Sequence, residues 1–96
     1  MRILLSRAAE QDLDDLFDWI ARDSGADRAE AVLRRIEETL LNLAATPGIG
    51  RIRHDLDGAP RSFALWPWLI LYEPTEDDVL VLRVIDGRRD LPSVDI

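Results

Sequence analysis

Four groups of residues in this sequence have types and spacings that could do chemistry. "RVIDGRRD", Arg83 to Asp90, gathers three arginines and two aspartates around Gly87 at the end of the longest apolar run. Guanidinium forks in such a cluster can hold a phosphate or a carboxylate by two parallel hydrogen bonds. His54, the one histidine, stands between Arg53 and Asp55, where an imidazole could pass a proton near neutral pH. Asp12, Asp14, Asp15 and Asp18 are oxygen ligands of the kind a hard cation takes. Trp66 and Trp68 flank Pro67 and offer aromatic faces on which bases could stack.

Most of these have simpler readings. No Ser, Cys or second His accompanies His54 as nucleophile or ligand, so it reads as a solvated loop residue. The acids early in a helix complement the positive end of its dipole. Trp66 and Trp68 alternate with Leu65 and Leu69 and read as core or interface aromatics. Tyr72 reads as a cap on the edge of a core, and "EDD" at 76–78 as a solvated hairpin tip. "GIG" lacks the Lys and the preceding strand of a phosphate loop. In "RVIDGRRD", Gly87 permits a positive φ after a strand, and Asp86 or Asp90 can pair with Arg88 or Arg89. That leaves the segment as a salt-bridged turn or a surface that engages a partner, and no cofactor or metal is expected.

Composition narrows the classes further. Ninety-six residues, 47 % of them hydrophobic, suffice for one core, and residues 1–96 are expected to form one domain. Nineteen acids against twelve bases give a net charge of −7, which opposes the phosphate attraction on which general nucleic-acid binders rely. Direct nucleic-acid binding is therefore not expected. Every base is Arg, a fixed planar donor suited to carboxylates. Without cysteine there is neither a disulfide framework nor a thiolate metal site, and the cytoplasm is the expected compartment. The N-terminus turns acidic after three consecutive apolar residues, too few for a signal peptide or a membrane span.

The elements that must position these residues are legible from periodicity. Arg2 to Leu5 predicts a strand, with Ser6 as the N-cap of a helix from Ala8 to about Asp23. Its apolar stripe is Ala9, Leu13, Leu16, Phe17 and Ile20. "DSGAD" breaks the pattern, and Asp27 with Glu30 has the spacing of a capping box opening a second helix. Its stripe, Ala29, Val32, Leu33, Ile36, Leu40 and Leu43, ends near Ala45 before "TPGIGRIRHDLDGAP". "RSFAL", "WLILY" and "VLVLRVI" then predict a meander of three antiparallel strands. The expected order is β-α-α-β-β-β, an α+β fold with the helical hairpin packed on a small, mainly antiparallel sheet. Strict alternation puts Val79, Val81, Arg83 and Ile85 on one face of the last strand and Leu80, Leu82 and Val84 on the other. With one helical layer to cover two apolar faces, the second face is expected to lie open for a partner.

"SRAAEQDLDDLFDWI", "LAATPGIGR", "LILYEP" and "LRVIDGRRD", in this order over nearly the whole chain, resemble toxins of the bacterial RelE/ParE superfamily. The resemblance implies the toxic half of a type II toxin–antitoxin module, held inactive in a hetero-oligomer with a cognate, ParD-like antitoxin. RelE-like members cleave mRNA on the ribosome and ParE-like members inhibit DNA gyrase. The RNA-cleaving branch carries an arginine inside its third strand and a Tyr or His near its C-terminus; this chain has Leu69 at the first place and Leu91, Pro92 and Ser93 at the second. Arg83 is retained, but one arginine cannot both hold a phosphate and move protons. The resemblance therefore implies the ParE-like branch, gyrase as target and no catalytic residues. A RelE-like ribosome-dependent endoribonuclease and a ParE fold that only binds its antitoxin are the alternatives. Leu69, Leu71, Val81, Arg83, Arg88 and Arg89 are the candidates for contact with antitoxin or target, the leucines and valine on the apolar face and the arginines at its rim.

Overall fold

A computed structural model describes residues 1–88. Strand β1 (Arg2–Leu5) leads into α1 (Arg7–Ser24) and α2 (Ala26–Ala45), followed by a 3-10 turn (Pro47–Ile49) and four strands: β2 (Arg51–Ile52), β3 (Arg61–Leu65), β4 (Trp68–Pro74) and β5 (Asp78–Asp86). They form one five-stranded sheet in the order β1-β5-β4-β3-β2. β3, β4 and β5 are the expected meander, whereas β1 lies parallel to β5. The sheet is mixed because the helical hairpin carries the chain from one edge, and a parallel pair needs such a crossover. β2, at two residues, is too short to leave a periodic trace.

Ser6 opens α1 as expected: its hydroxyl accepts from the Ala9 amide at 3.0 Å and donates to the Leu82 carbonyl at 2.7 Å. One side chain thus caps the helix and fastens it to β5. The capping box expected at Asp27 and Glu30 does not form. Gly25, at φ 93°, closes α1 and opens α2 with no side-chain bond. A glycine in that conformation reverses the chain without a loop, so α2 begins at Ala26 and Asp27 falls inside its first turn, beside the positive dipole end.

The helical stripes meet the sheet where their spacing places them. Leu16, Ile20, Ile36, Leu40 and Leu43 are buried against Ile70, Tyr72, Val79, Val81 and Val84, with Leu13, Phe17 and Val32 half-buried at the margin. On β5, strict alternation fails. Leu71 pairs with Arg83 but Tyr72 pairs with Val81, so Leu82 is an extra residue and the ladder bulges. Val79, Val81 and Val84 therefore share the helical face, while Leu82 and Ile85 join Leu71 on the other. That second face is not bare. Leu56, from the connection after β2, packs over Leu71 and Ile85. Three backbone bonds shape this connection: Arg53 to Pro60 at 2.7 Å, Leu56 to Arg53 at 3.2 Å and Ala59 to Leu56 at 3.0 Å.

"PGIGR" is fixed by Tyr72. The phenol is fully buried; it accepts from the Gly50 amide at 2.8 Å and donates to the Pro47 carbonyl at 2.8 Å. A Cβ on Gly50 would lie 2.9 Å from the Ser62 carbonyl and closer still to the Tyr72 hydroxyl, so only glycine fits. Tyr72 is a structural cap, as its place at the end of "WLILY" suggests.

Candidate partner-binding site

β1 ends opposite Val81, so the edge of β5 beyond that point has no strand beside it. The start of α1 takes over. The Ser6 amide donates to the Val81 carbonyl at 2.9 Å, and Asp12 receives the Val84 amide at 3.0 Å. The same carboxylate accepts a bidentate grip from Arg83, Nε to Oδ2 at 2.7 Å and Nη2 to Oδ1 at 2.8 Å. Both side chains are largely buried, 15 % and 13 % exposed. Low exposure and paired geometry make this a strong charge-assisted contact and not a surface ion pair.

The chain leaves β5 through a second clasp. Arg88 donates to Asp86 from its amide and Nε, each at 2.9 Å, and from Nη2 at 2.5 Å. Hydrogen bonding to Asp86 raises the Arg88 pKa above its ordinary value. Gly87 serves by close approach and not by a positive φ: its amide donates to the Pro67 carbonyl at 2.7 Å, and a Cβ there would lie 3.3 Å from that oxygen. "RVIDGR" is thus tied to α1 at Arg83 and to the β3–β4 hairpin tip at Gly87.

Between these two ties runs a groove of about 410 Å³. Asp12, Asp15, Leu16 and Trp19 of α1 form one wall; Pro67, Trp68, Val84, Ile85, Asp86 and Arg88 form the rest. Asp12, Asp15, Leu16 and Trp19 recur at three and four residues and so share one helical face. Trp19 is 58 % exposed, and Trp66, at the hairpin tip, is 69 % exposed. Trp68 packs against the helical core, so only one of the two tryptophans around Pro67 is a surface group.

The expected contact residues do not come together as one surface. Val81 is fully buried beneath the helices, and Leu71 is fully buried under Leu56, so neither can meet a partner directly. The bulge separates Val81, which stays with Val79 on the helical face, from Arg83 and Ile85, and the connection covers Leu71. Leu69 is half-buried on the same cluster as Leu71. Arg83 and Arg88 lie at the two ties, each paired to an aspartate, and Arg89 lies outside the described residues. Sequence reading missed Trp19 and the pairing of Asp12. A signal existed for Trp19, which follows Leu16 by three residues on its own helical face; the pairing of Asp12 across 71 positions left none. His54 is exposed in its loop, and among the described residues no group of three or more His, Cys, Asp or Glu is placed to hold a metal. No helix among them is long and apolar enough to cross a membrane.

The fold is an α+β fold shared with a solved structure. It superposes with a TM-score of 0.75 on a solved chain described as "Chromosomal ParDE TA system from P. aeruginosa", covering 90 % of this chain and 95 % of that one at 23 % identity. A family model described as "ParE toxin of type II toxin-antitoxin system, parDE" matches residues 3–91, and the chain belongs to this family. Among curated relatives, Toxin ParE3 of Caulobacter vibrioides is 39 % identical over 92 residues, 96 % of this chain and 92 % of the relative. Toxin ParE1 of Mycobacterium tuberculosis is 32 % identical over 91 residues, 94 % of this chain and 93 % of the relative.

Proposed function

We propose that this chain is the toxin of a parDE module, silenced by a ParD-like antitoxin, and that it inhibits DNA gyrase by protein contact and not by cleaving RNA. The observation that carries the second half is the Asp12–Arg83 pair. Arg83 is the arginine shared with the RNA-cleaving branch, and its guanidinium grips a carboxylate of its own chain in two bonds. Turning it toward a phosphate would leave the largely buried Asp12 carboxylate with only the Val84 amide as partner, a loss of about 2–5 kcal/mol. Leu69, at the other position where that branch needs a cation, sits in an apolar cluster with Leu71 and Ile85. A net charge of −7 opposes both RNA and ribosomal phosphate.

The parDE family membership supports a ParD-like antitoxin as partner, and the expected compartment is the cytoplasm. A supercoiling assay with purified gyrase and the purified chain tests the target. Inhibition that antitoxin reverses supports the proposal; intact gyrase activity beside codon-phased mRNA cleavage on translating ribosomes favours the ribonuclease. A chain that binds antitoxin and leaves both gyrase and mRNA untouched retains only the binding role.

A further inference from the structure

We infer that the groove between α1 and the β3–β4 hairpin tip seats a segment of the antitoxin that is apolar on one side and cationic on the other. The inference rests on the reading of the chain as an antitoxin-bound toxin, and adds where the partner sits and what chemistry it brings. Trp19, more than half exposed, presents its ring beside a groove whose apolar lining is Leu16, Pro67, Trp68, Val84 and Ile85. An exposed tryptophan beside an apolar lining is the composition of an interface centre, where a few aromatic anchors dominate binding. Trp66, next in the chain to the lining residue Pro67, is a second exposed aromatic at the hairpin tip, and an extended or helical segment can reach both where a small ligand cannot.

Charge selects the kind of segment. The two arginines at the groove are already matched, Arg83 by Asp12 and Arg88 by Asp86, so a partner carboxylate would have to displace an internal one. Asp15 carries the acid left over at the rim, its bond being to the neutral Gln11 amide at 2.8 Å. The helix that forms this wall carries six acids, Glu10, Asp12, Asp14, Asp15, Asp18 and Asp23, against Arg7 and Arg22. An approaching cation is attracted and an approaching acid repelled. The same repulsion disfavours a second copy of this chain, which would set one acidic helix against another.

The test titrates labelled cognate antitoxin into the full chain at low and high salt. Trp19→Ala and Trp66→Ala are each expected to weaken binding by about 10- to 100-fold. Asp15→Arg is expected to weaken it by about three- to ten-fold and to flatten the salt dependence. Leu41→Ala, exposed on α2 away from the groove, leaves affinity unchanged. All four side chains are exposed, and unchanged circular dichroism and melting confirm that the variants fold. Wild-type affinity in both tryptophan variants overturns the groove while leaving the antitoxin reading intact. Tighter binding by Asp15→Arg overturns the cationic occupant. A dimer of the free chain that Trp19→Ala abolishes assigns the groove to a second copy instead. Failure of the unaltered chain to bind antitoxin at all defeats the functional reading, and this inference with it.

Discussion

Asp12 on α1 and Arg83 on β5 lie 71 positions apart in the chain and meet in a bidentate pair at 2.7 and 2.8 Å. The same carboxylate takes the Val84 amide, so one side chain replaces a missing strand at the edge of β5. Asp12→Ala should strand a largely buried guanidinium and an amide together, costing about 2–5 kcal/mol. For a chain of this size that lowers the melting temperature by roughly 10 °C or more. A shift of a degree or two in thermal unfolding would mean that the pair contributes little.

Gly50 and Tyr72 offer an independent probe of the connection. Tyr72→Phe keeps the ring packing but removes the acceptor for the Gly50 amide and the donor to the Pro47 carbonyl, at a cost of about 1–3 kcal/mol. Gly50→Ala should destabilise more, because its Cβ meets the Ser62 backbone as well as the phenol. Chemical denaturation ranks the two, and the opposite order would show that the turn moves aside easily.

The helix seam supplies a graded pair. Ile36 is fully buried in the core, and Ile36→Ala should cost about 2–5 kcal/mol through the cavity it leaves. Phe17 is half-buried, so Phe17→Ala should cost less despite its larger ring. Equal losses in urea unfolding would place Phe17 deeper than its contacts indicate.

These elements also mark how far the sequence could be read. The helical stripes and the three-strand meander emerged from spacing because each obeys a single period over many residues. The bulge at Leu82 did not, since one inserted residue flips the face of everything beyond it without altering composition. It separates Val81 from Arg83 and Ile85, and Leu56, one apolar residue in an irregular connection, covers Leu71 with no periodic trace. Gly25 escaped as a shared cap because Asp27 and Glu30 imitate a capping box that starts two residues too late. Arg88 pairing with Asp86 was legible, being local; Arg83 pairing with Asp12 was not, because a contact across 71 positions depends on how the helix lies along the sheet.

The Arg53 hydrogen bond holds the Asp55 carboxyl below its ordinary pKa. A group lowered in the folded state adds stability above its unfolded pKa and loses it as pH falls through the folded one. Stability measured on the acid side should therefore fall more steeply with decreasing pH in the wild type than in Asp55→Asn. Parallel curves would show that the exposed pair is not maintained in solution.

The central claim, that this ParE-family chain acts on gyrase by contact and not on RNA by chemistry, meets its most direct test in DNA supercoiling. Purified gyrase is titrated with the chain, and cognate antitoxin is then added in equal amount. The account predicts saturable loss of supercoiling that the antitoxin restores, with mRNA on translating ribosomes intact throughout. Full supercoiling at every concentration of the chain, together with cut mRNA, would contradict it.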